Sequence, residues 1–256
     1  MVDIVVDIGN SRIKWGRIAD RAVAASASLP PDAPAAWEKQ LAQWRLIGPL
    51  RWVVACVCPP CLVGFLAWLR ARGDTVRLIE HAAELPLVVK VPEPDKVGID
   101  RLLAAVGANA RRAAAASCPD QGAIVVGVGT AITVDLLDPA GAFLGGAILP
   151  GPRLMAQALH DHAALLPLVE TIPSCPTAPA TATRPAIELG IHWAMVGGIN
   201  GLIAEMGRGV AREPGAVDVF VTGGGAPLVL DRLLGKTRHC PELILEGICL
   251  TAEALS

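Results

Sequence analysis

Between Asp7 and Lys14 the chain sets an acid, a glycine, an amide, a hydroxyl and a base in close order: Asp7-Ile8-Gly9-Asn10-Ser11-Arg12-Ile13-Lys14. An apolar run, Val2 to Val6, precedes it and reads as a buried strand. Such an order suits a phosphate-binding β-turn-β. Gly9 lets backbone approach a phosphate closely, neighbouring amides and Ser11 donate hydrogen bonds, Lys14 adds positive charge, and Asp7 can hold a metal ion. The same residues also describe a tight Gly-Asn hairpin turn with a snorkelling lysine.

A second turn of this kind follows at Gly127-Val128-Gly129-Thr130-Ala131, ahead of Asp135. Its backbone and Thr130 suit phosphate contacts; a plain glycine hairpin is the alternative. Gly98-Ile99-Asp100-Arg101 opens a helix after a Pro-rich loop. A carboxylate at a helix N-terminus stays ionised and can accept the proton of a substrate hydroxyl during phosphoryl transfer, and Arg101 can pair with a substrate carboxylate. Taken alone, a capping acid with a charged first turn is the more frequent arrangement there. Gly223-Gly224-Gly225 joins a strand to a helix and would let a flat ligand such as adenosine lie against backbone, although the spacing is not a Rossmann fingerprint. His160-Asp161-His162 reads as a polar helix end, because neighbouring helical side chains diverge. Cys56, Cys58 and Cys61 lie close together; a small-residue core, a thiol-redox CxxC and a metal site are the readings, and the core is favoured because no second CxxC or His pair appears.

The elements that must position these residues alternate between strand and helix, which predicts an α/β fold. The expected strands are Val2–Ile8, Ile13–Ile18, Trp52–Val57, Val76–Ile79, Ala123–Val128, Ile132–Leu137, Ala142–Leu149 and Val217–Thr222. Helices are expected over Ala35–Arg45, Leu62–Arg72, Gly98–Ala116, Pro185–Arg208 and Gly247–Leu255. The halves share one plan, a buried strand, a Gly-plus-hydroxyl turn and another strand, so two lobes are expected, 1–118 and 119–256, facing each other across a cleft.

Composition narrows the function classes. The 256 residues carry a net charge of -2, with 53% hydrophobic and 18% charged residues and no tyrosine. An ample core is affordable, whereas neither an electrostatic footprint nor stacking platforms for nucleic acid are present. Trp52 to Leu69 carries no charge, but Pro59 and Pro60 split it, so it reads as strand, turn and helix and no membrane span is expected. Asp3 and Asp7 interrupt the apolar start, unlike a signal peptide, and the seven cysteines are an odd number. A cytoplasmic location with reduced thiols is therefore expected.

Taken in order, DIGNSRIKWG, GIDR, GVGTAITVD, GGAILPG and VTGGGA resemble the type III pantothenate kinases, within the acetate and sugar kinase/Hsc70/actin (ribonuclease H-like) superfamily. The resemblance spans nearly the whole chain. It implies ATP-dependent phosphorylation of pantothenate at its 4′-hydroxyl, the first step of coenzyme A synthesis. Asp100 would match the family's general base, with Gly98, Ile99 and Arg101 lining the pantothenate site. Asp7, Ile8, Gly9, Asn10, Ser11, Arg12, Ile13 and Lys14 would form the first phosphate loop, with Asp7 near Mg²⁺, and Thr130 would touch ATP. Thr183 matches a substrate contact that usually follows an Asn, where this chain has Ala182. The helix over residues 185–208 resembles the family's dimer interface, so a homodimer is implied. Two positions depart from the pattern. Gly127 stands where the family often has an Asp that binds a monovalent cation (K⁺ or NH₄⁺), and Val91 stands where it tends to have a Tyr near pantothenate. A non-catalytic ATP-binding regulator on the same scaffold is the alternative, and a thiol-redox protein using Cys58 and Cys61 is a third reading.

Overall fold

The computed structural model describes residues 2–115, 121–210 and 217–255. In chain order the elements are β1 (Ile4–Ile8), β2 (Ile13–Ala19), β3 (Ala22–Leu29), α1 (Pro34–Gln43), β4 (Arg51–Cys56), α2 (Pro59–Ala71), β5 (Thr75–Ile79) and α3 (Ile99–Ala114). They continue as β6 (Ala123–Val128), β7 (Ala131–Leu137), β8 (Phe143–Pro150), α4 (Pro152–His162), α5 (Thr183–Gly207), β9 (Asp218–Thr222), β10 (Lys236–His239) and α6 (Leu243–Ala254).

The chain divides into two compact units, Met1–Ser117 with Glu242–Ser256, and Cys118–Pro241. Each holds one five-stranded sheet, ordered β3-β2-β1-β4-β5 in the first and β10-β9-β6-β7-β8 in the second. Read from β3 and from β8, the two sheets have the same plan. The first three strands are antiparallel neighbours, and the last two join in parallel beside β1 and beside β6. Strand β1 is buried on both faces, as its unbroken apolar run requires at the centre of a sheet.

In the first unit the core beneath β1, β2 and β4 is aromatic. Trp15, Trp37, Trp52 and Phe65 are fully buried, and the Trp15 and Trp52 rings meet edge to face at 5.0 Å. Helices α1 and α2 seal this face with Trp37, Leu41, Phe65 and Leu69. In the second unit α5 lays Ile187, Ile191, Met195, Ile199 and Ile203 at helical spacing onto the apolar side of β6 and β7. By length and hydropathy α5 is the one helix among the described residues that would reach across a membrane, but this stripe is buried in the core.

Several expectations differ from the observed elements. The uncharged stretch Trp52–Leu69 resolves into β4 and most of α2, but Pro59 and Pro60 are the first two residues of the helix rather than a turn before it, since proline fits the first helical turn, where no backbone N–H is needed. Strands β3 and β10 are not legible as strands, since Ala and Ser dominate one and Lys, Thr, Arg and His form the other; both are edge strands whose state is set by ladder pairing with β2 and β9. Helix α4, of which only the His-rich end is legible, runs from Pro152. The expected boundary between residues 118 and 119 lies outside the described residues.

The C-terminal helix is the main difference. Placed with residues 119–256 by chain order, α6 packs instead on α3 in the first unit. Two glycines permit it. A Cβ on Gly107 would overlap the Leu243 carbonyl, and one on Gly247 would overlap the Leu103 carbonyl. The helices therefore approach backbone to backbone, and Arg111 closes the contact by donating to both carboxylate oxygens of Glu246, at 2.7 and 2.5 Å. Gly247→Ala forces backbone apart rather than a flexible side chain. It should cost roughly 1–3 kcal/mol, read as a lowered urea midpoint at unchanged slope.

Candidate active site

In the first unit β1 and β2 form the expected hairpin. Ile8 pairs with Ile13, and Asp7 lies directly across from Lys14. The turn is closed by the Gly9 N–H donating to the Arg12 carbonyl at 3.1 Å. Side chains directly opposite on a strand pair share a face, so the acid and the base project together. Asp7 is 7% exposed. Burial pushes its carboxyl up to about 6; the Lys14 charge opposes the rise and the Asp100 charge adds to it.

Asp100 arrives from α3. Gly98 is the N-cap and Asp100 lies in the first turn. The Arg101 N–H donates to Asp100 Oδ1 at 2.9 Å. Burial raises the Asp100 carboxyl above its ordinary value, against the lowering pull of that hydrogen bond and of the Arg101 and Lys14 charges. A Cβ on Gly98 would lie 2.6 Å from Asp100 Oδ1, so the missing side chain is the space the carboxylate occupies. Residues distant in sequence, Asp7, Lys14 and Asp100, thus act on one another electrostatically. A cavity of about 380 Å³ reaches Gly98 and Ile99, the residues just before Asp100, and is lined on its other side by Cys56, Val57, Pro59 and Leu62; Asp7, Lys14 and Asp100 are not among its lining residues. That volume suits a small metabolite.

The donor set fits Mg²⁺. This ion is held by one or two carboxylates together with substrate phosphates, rather than by an all-protein cage. Among the described residues no group of three or more His, Cys, Asp or Glu could form such a cage. A buried carboxylate raised to about 6 beside a second carboxylate is what a divalent cation would relieve.

The second unit repeats the hairpin with different chemistry. Val128 pairs with Ile132, and Gly127 with Thr133, so Gly127 and Thr133 hold the register positions of Asp7 and Lys14. The turn closes through the Gly129 N–H to the Ala131 carbonyl at 3.0 Å. Other motifs converge on it by close backbone approach. Gly151 donates to the Thr130 carbonyl at 3.0 Å and Gly225 to the Val128 carbonyl at 2.9 Å. A Cβ on Gly151 would overlap the Gly129 and Thr130 carbonyls, and one on Gly223, whose φ is +94°, the Val128 carbonyl. Gly223 and Gly225, expected to make room for a flat ligand, are required here by packing, as Gly151 is, since each lies against the turn with no room for a side chain.

Asp135 is buried mid-strand opposite Val125, two positions back from the Gly127–Thr133 pair. Thr183 is the first residue of α5 and is exposed. His160 and His162 end α4, with His160 Nδ1 3.0 Å from the Leu166 carbonyl. Val91 lies in an irregular segment before α3. Cys58 and Cys61, expected as reduced thiols in a small-residue core, are instead joined as a disulfide across the first turn of α2, because the helical turn brings residues three apart together.

The profile of the type III pantothenate kinase family matches residues 3–205. A type III pantothenate kinase of Halorhodospira halophila is 34% identical over 263 residues, covering 96% of this chain and 95% of that protein. One from Synechococcus sp. is 32% identical, covering 94% and 88%. Among solved structures, a conserved Baf family protein from Campylobacter jejuni superposes with a TM-score of 0.60 at 18% identity, covering 98% of each chain. The activator of the 2-hydroxyisocaproyl-CoA dehydratase from Clostridium difficile, solved with ADPNP, superposes at 0.56 and 15% identity, covering 100% and 96%. These last two speak for the two-lobed fold alone.

The Asp7 burial has a measurable consequence. The unfolded chain releases this proton near 3.8 and the folded chain near 6, so between those values the folded state holds a proton that the unfolded state does not. Stability therefore falls as pH rises across that window, by about 3 kcal/mol in all. Asp7→Asn should raise the thermal midpoint of the ligand-free protein at pH 7, with the gain gone below pH 4; an equal midpoint at pH 7 removes the burial argument.

Proposed function

The chain belongs to the type III pantothenate kinase family, and we propose that its phosphoryl transfer from ATP to pantothenate runs through the Asp7, Lys14 and Asp100 constellation of the first unit. The activity is ATP-dependent phosphorylation of pantothenate to 4′-phosphopantothenate, the first step of coenzyme A synthesis. The observation that carries the site reading is electrostatic. Two carboxylates with raised proton affinity and one lysine act on one another at the end of a glycine turn.

In this reading Asp100 accepts the proton of the 4′-hydroxyl as its oxygen attacks the γ-phosphorus in line. Its raised proton affinity brings the base nearer to operating pH, which favours the transfer. Lys14 and the backbone amides of residues 8–13 stabilise the phosphoryl oxygens. Asp7 would hold Mg²⁺, which neutralises phosphate charge when bound. Gly98 and Ile99 wall the acceptor cavity, and Arg101 pairs with the pantothenate carboxylate. Thr130, in the matching turn of the second unit, contacts ATP, and Thr183 contacts substrate.

Supporting arguments extend to the cation, the assembly and the location. Gly127 offers no carboxylate at the register position of Asp7, so K⁺ or NH₄⁺ lacks a ligand there; turnover should be equal with either ion or with Na⁺. The outward face of α5 carries Gly190, Trp193, Ala194, Gly197 and Gly201, and Trp193 is 48% exposed. Small residues beside one large aromatic suit a close helix–helix contact. A homodimer through α5 follows, and Gly197→Arg should halve the mass found by sedimentation. A cytoplasmic location accords with ATP as the phosphoryl donor.

Asp100→Asn should lower kcat about 10²–10⁴-fold in an ADP-release assay, with nucleotide binding nearly intact. Gly98→Ala is the sharper companion. The new methyl meets only the flexible carboxylate, so stability should hold while kcat falls at least about tenfold, the loss expected when a base is mispositioned. Retention of more than a tenth of wild-type kcat by Asp100→Asn overturns its role.

A further inference from the structure

The two sheets share one topology, so each residue of one hairpin has a counterpart in the other. Ile8 and Val128 are such a pair, each ending the central strand at its turn. In the second unit the Val128 carbonyl accepts from Gly225, in the glycine segment after β9. In the first unit the Ile8 carbonyl accepts from Val57 at 3.0 Å, in the segment after β4. That segment, Val57-Cys58-Pro59-Pro60-Cys61, is therefore the counterpart of Gly223–Ala226. In place of glycines it carries a strand–CxxC–helix arrangement whose cysteines are bonded to each other.

From this placement we infer that Cys58–Cys61 is a thiol–disulfide exchange site that sets how tightly the adjoining cavity holds the acceptor substrate. The inference rests on the assignment of that cavity to pantothenate. Cys56, Val57, Pro59 and Leu62 form one side of the cavity, and Gly98 and Ile99, immediately before Asp100, form another. The segment that holds the disulfide thus touches both the Asp7 turn and the substrate wall.

The local chemistry suits exchange better than a permanent brace. Only two residues separate the cysteines, so the bond constrains the unfolded chain far less than a long-range disulfide does. Persistent disulfides are rare in a reducing cytoplasm, where those that occur are mostly catalytic or redox-sensing. Cys61 is half-buried and open to attack, whereas Cys58 is 9% exposed at the N-cap of α2. A thiolate at a helix N-terminus is stabilised and leaves readily. Pro59 and Pro60 fix the backbone between the sulfurs and keep them close in the reduced state. Cys56, whose Sγ accepts from the Cys58 N–H at 3.2 Å, has its thiol pushed up by burial and stays protonated, so it competes poorly for either partner.

A dithiol supplies the two electrons. One of its thiolates attacks Cys61 Sγ, the Cys58–Cys61 bond breaks, and Cys58 leaves as a thiolate that takes up a proton. The second thiolate of the reductant then attacks its own bonded sulfur. It releases Cys61, which is protonated in turn, and the reductant departs as a cyclic disulfide. The first turn of α2 then keeps only its backbone hydrogen bonds, Cys61 and Leu62 to the Cys58 carbonyl.

The test uses the full-length protein, oxidised with diamide or reduced with excess dithiothreitol. Iodoacetamide labelling and peptide mass mapping report the state of Cys58 and Cys61, and ADP release reports kinetics. Reduction should expose both thiols and raise KM for pantothenate at least about threefold, with kcat and the KM for ATP little changed; reoxidation should reverse it. The Cys58→Ser, Cys61→Ser double variant should show the reduced-state KM under both conditions. Three results overturn the inference: a pair that dithiothreitol does not open in the folded protein, a pair that diamide does not form, or a KM for pantothenate that is unchanged although labelling shows the bond opened. Asp100→Asn assayed in parallel separates this from the site reading. Activity retained by that variant removes the site assignment, whereas an inactive Asp100→Asn beside a redox-insensitive wild type removes only the switch.

Discussion

The first unit depends on keeping the Asp7 carboxylate out of water next to a second carboxylate. Strand β1 is central and buried on both faces, so any charge at its end is desolvated. Lys14 relieves part of that cost from the facing strand, and Asp100 adds to it. The ligand-free protein therefore carries an electrostatic penalty at the position proposed above for a divalent cation and phosphates. Pre-organisation of this kind is costly in stability and useful in catalysis, because the groups need no rearrangement when charge develops.

The duplicated topology shows how one backbone plan serves two chemistries. Both units place a hairpin turn beside a parallel neighbour strand, and in both the carbonyl at the end of the central strand accepts from the segment after that neighbour. In the first unit the register positions next to the turn hold an acid and a base, and in the second a glycine and a threonine. The first turn thus carries charge and the second offers close-packed backbone, with Gly151, Gly223 and Gly225 crowded against it.

Aromatic usage follows the same division of labour. Five of the six tryptophans cluster in the first unit: Trp15, Trp37, Trp52 and Trp68 pack on Phe65, and Trp44 packs on Trp15. They form a stiff platform under β1, β2 and β4, the strands that end at Asp7, Lys14 and the cysteine segment. The sixth, Trp193, stands exposed on α5. In the second unit the cluster under α5 is aliphatic, built from Val and Ile of its strands and the buried stripe of α5, while Phe143 and Phe220 are buried outside that cluster.

Local chemistry was readable from the chain alone. The apolar run into Gly9, the threonine turn after Gly129, the acid opening α3 and the breakers inside Trp52–Leu69 each depend on neighbours a few residues away, so their signals survive in a linear reading. Long-range packing was not. Nothing local marks Ala22–Leu29 as a strand, because its pairing partner β2 decides it. Chain order assigned α6 to the second lobe, whereas the glycine contacts of Gly107 and Gly247 return it to α3. Asp7 and Asp100 were each visible as acids, yet their mutual repulsion, and the shift of Asp7 to about 6, exist only once β1 and α3 are folded together. The physical reason is that desolvation and charge coupling are properties of neighbours in space, and the sequence lists neighbours along the chain.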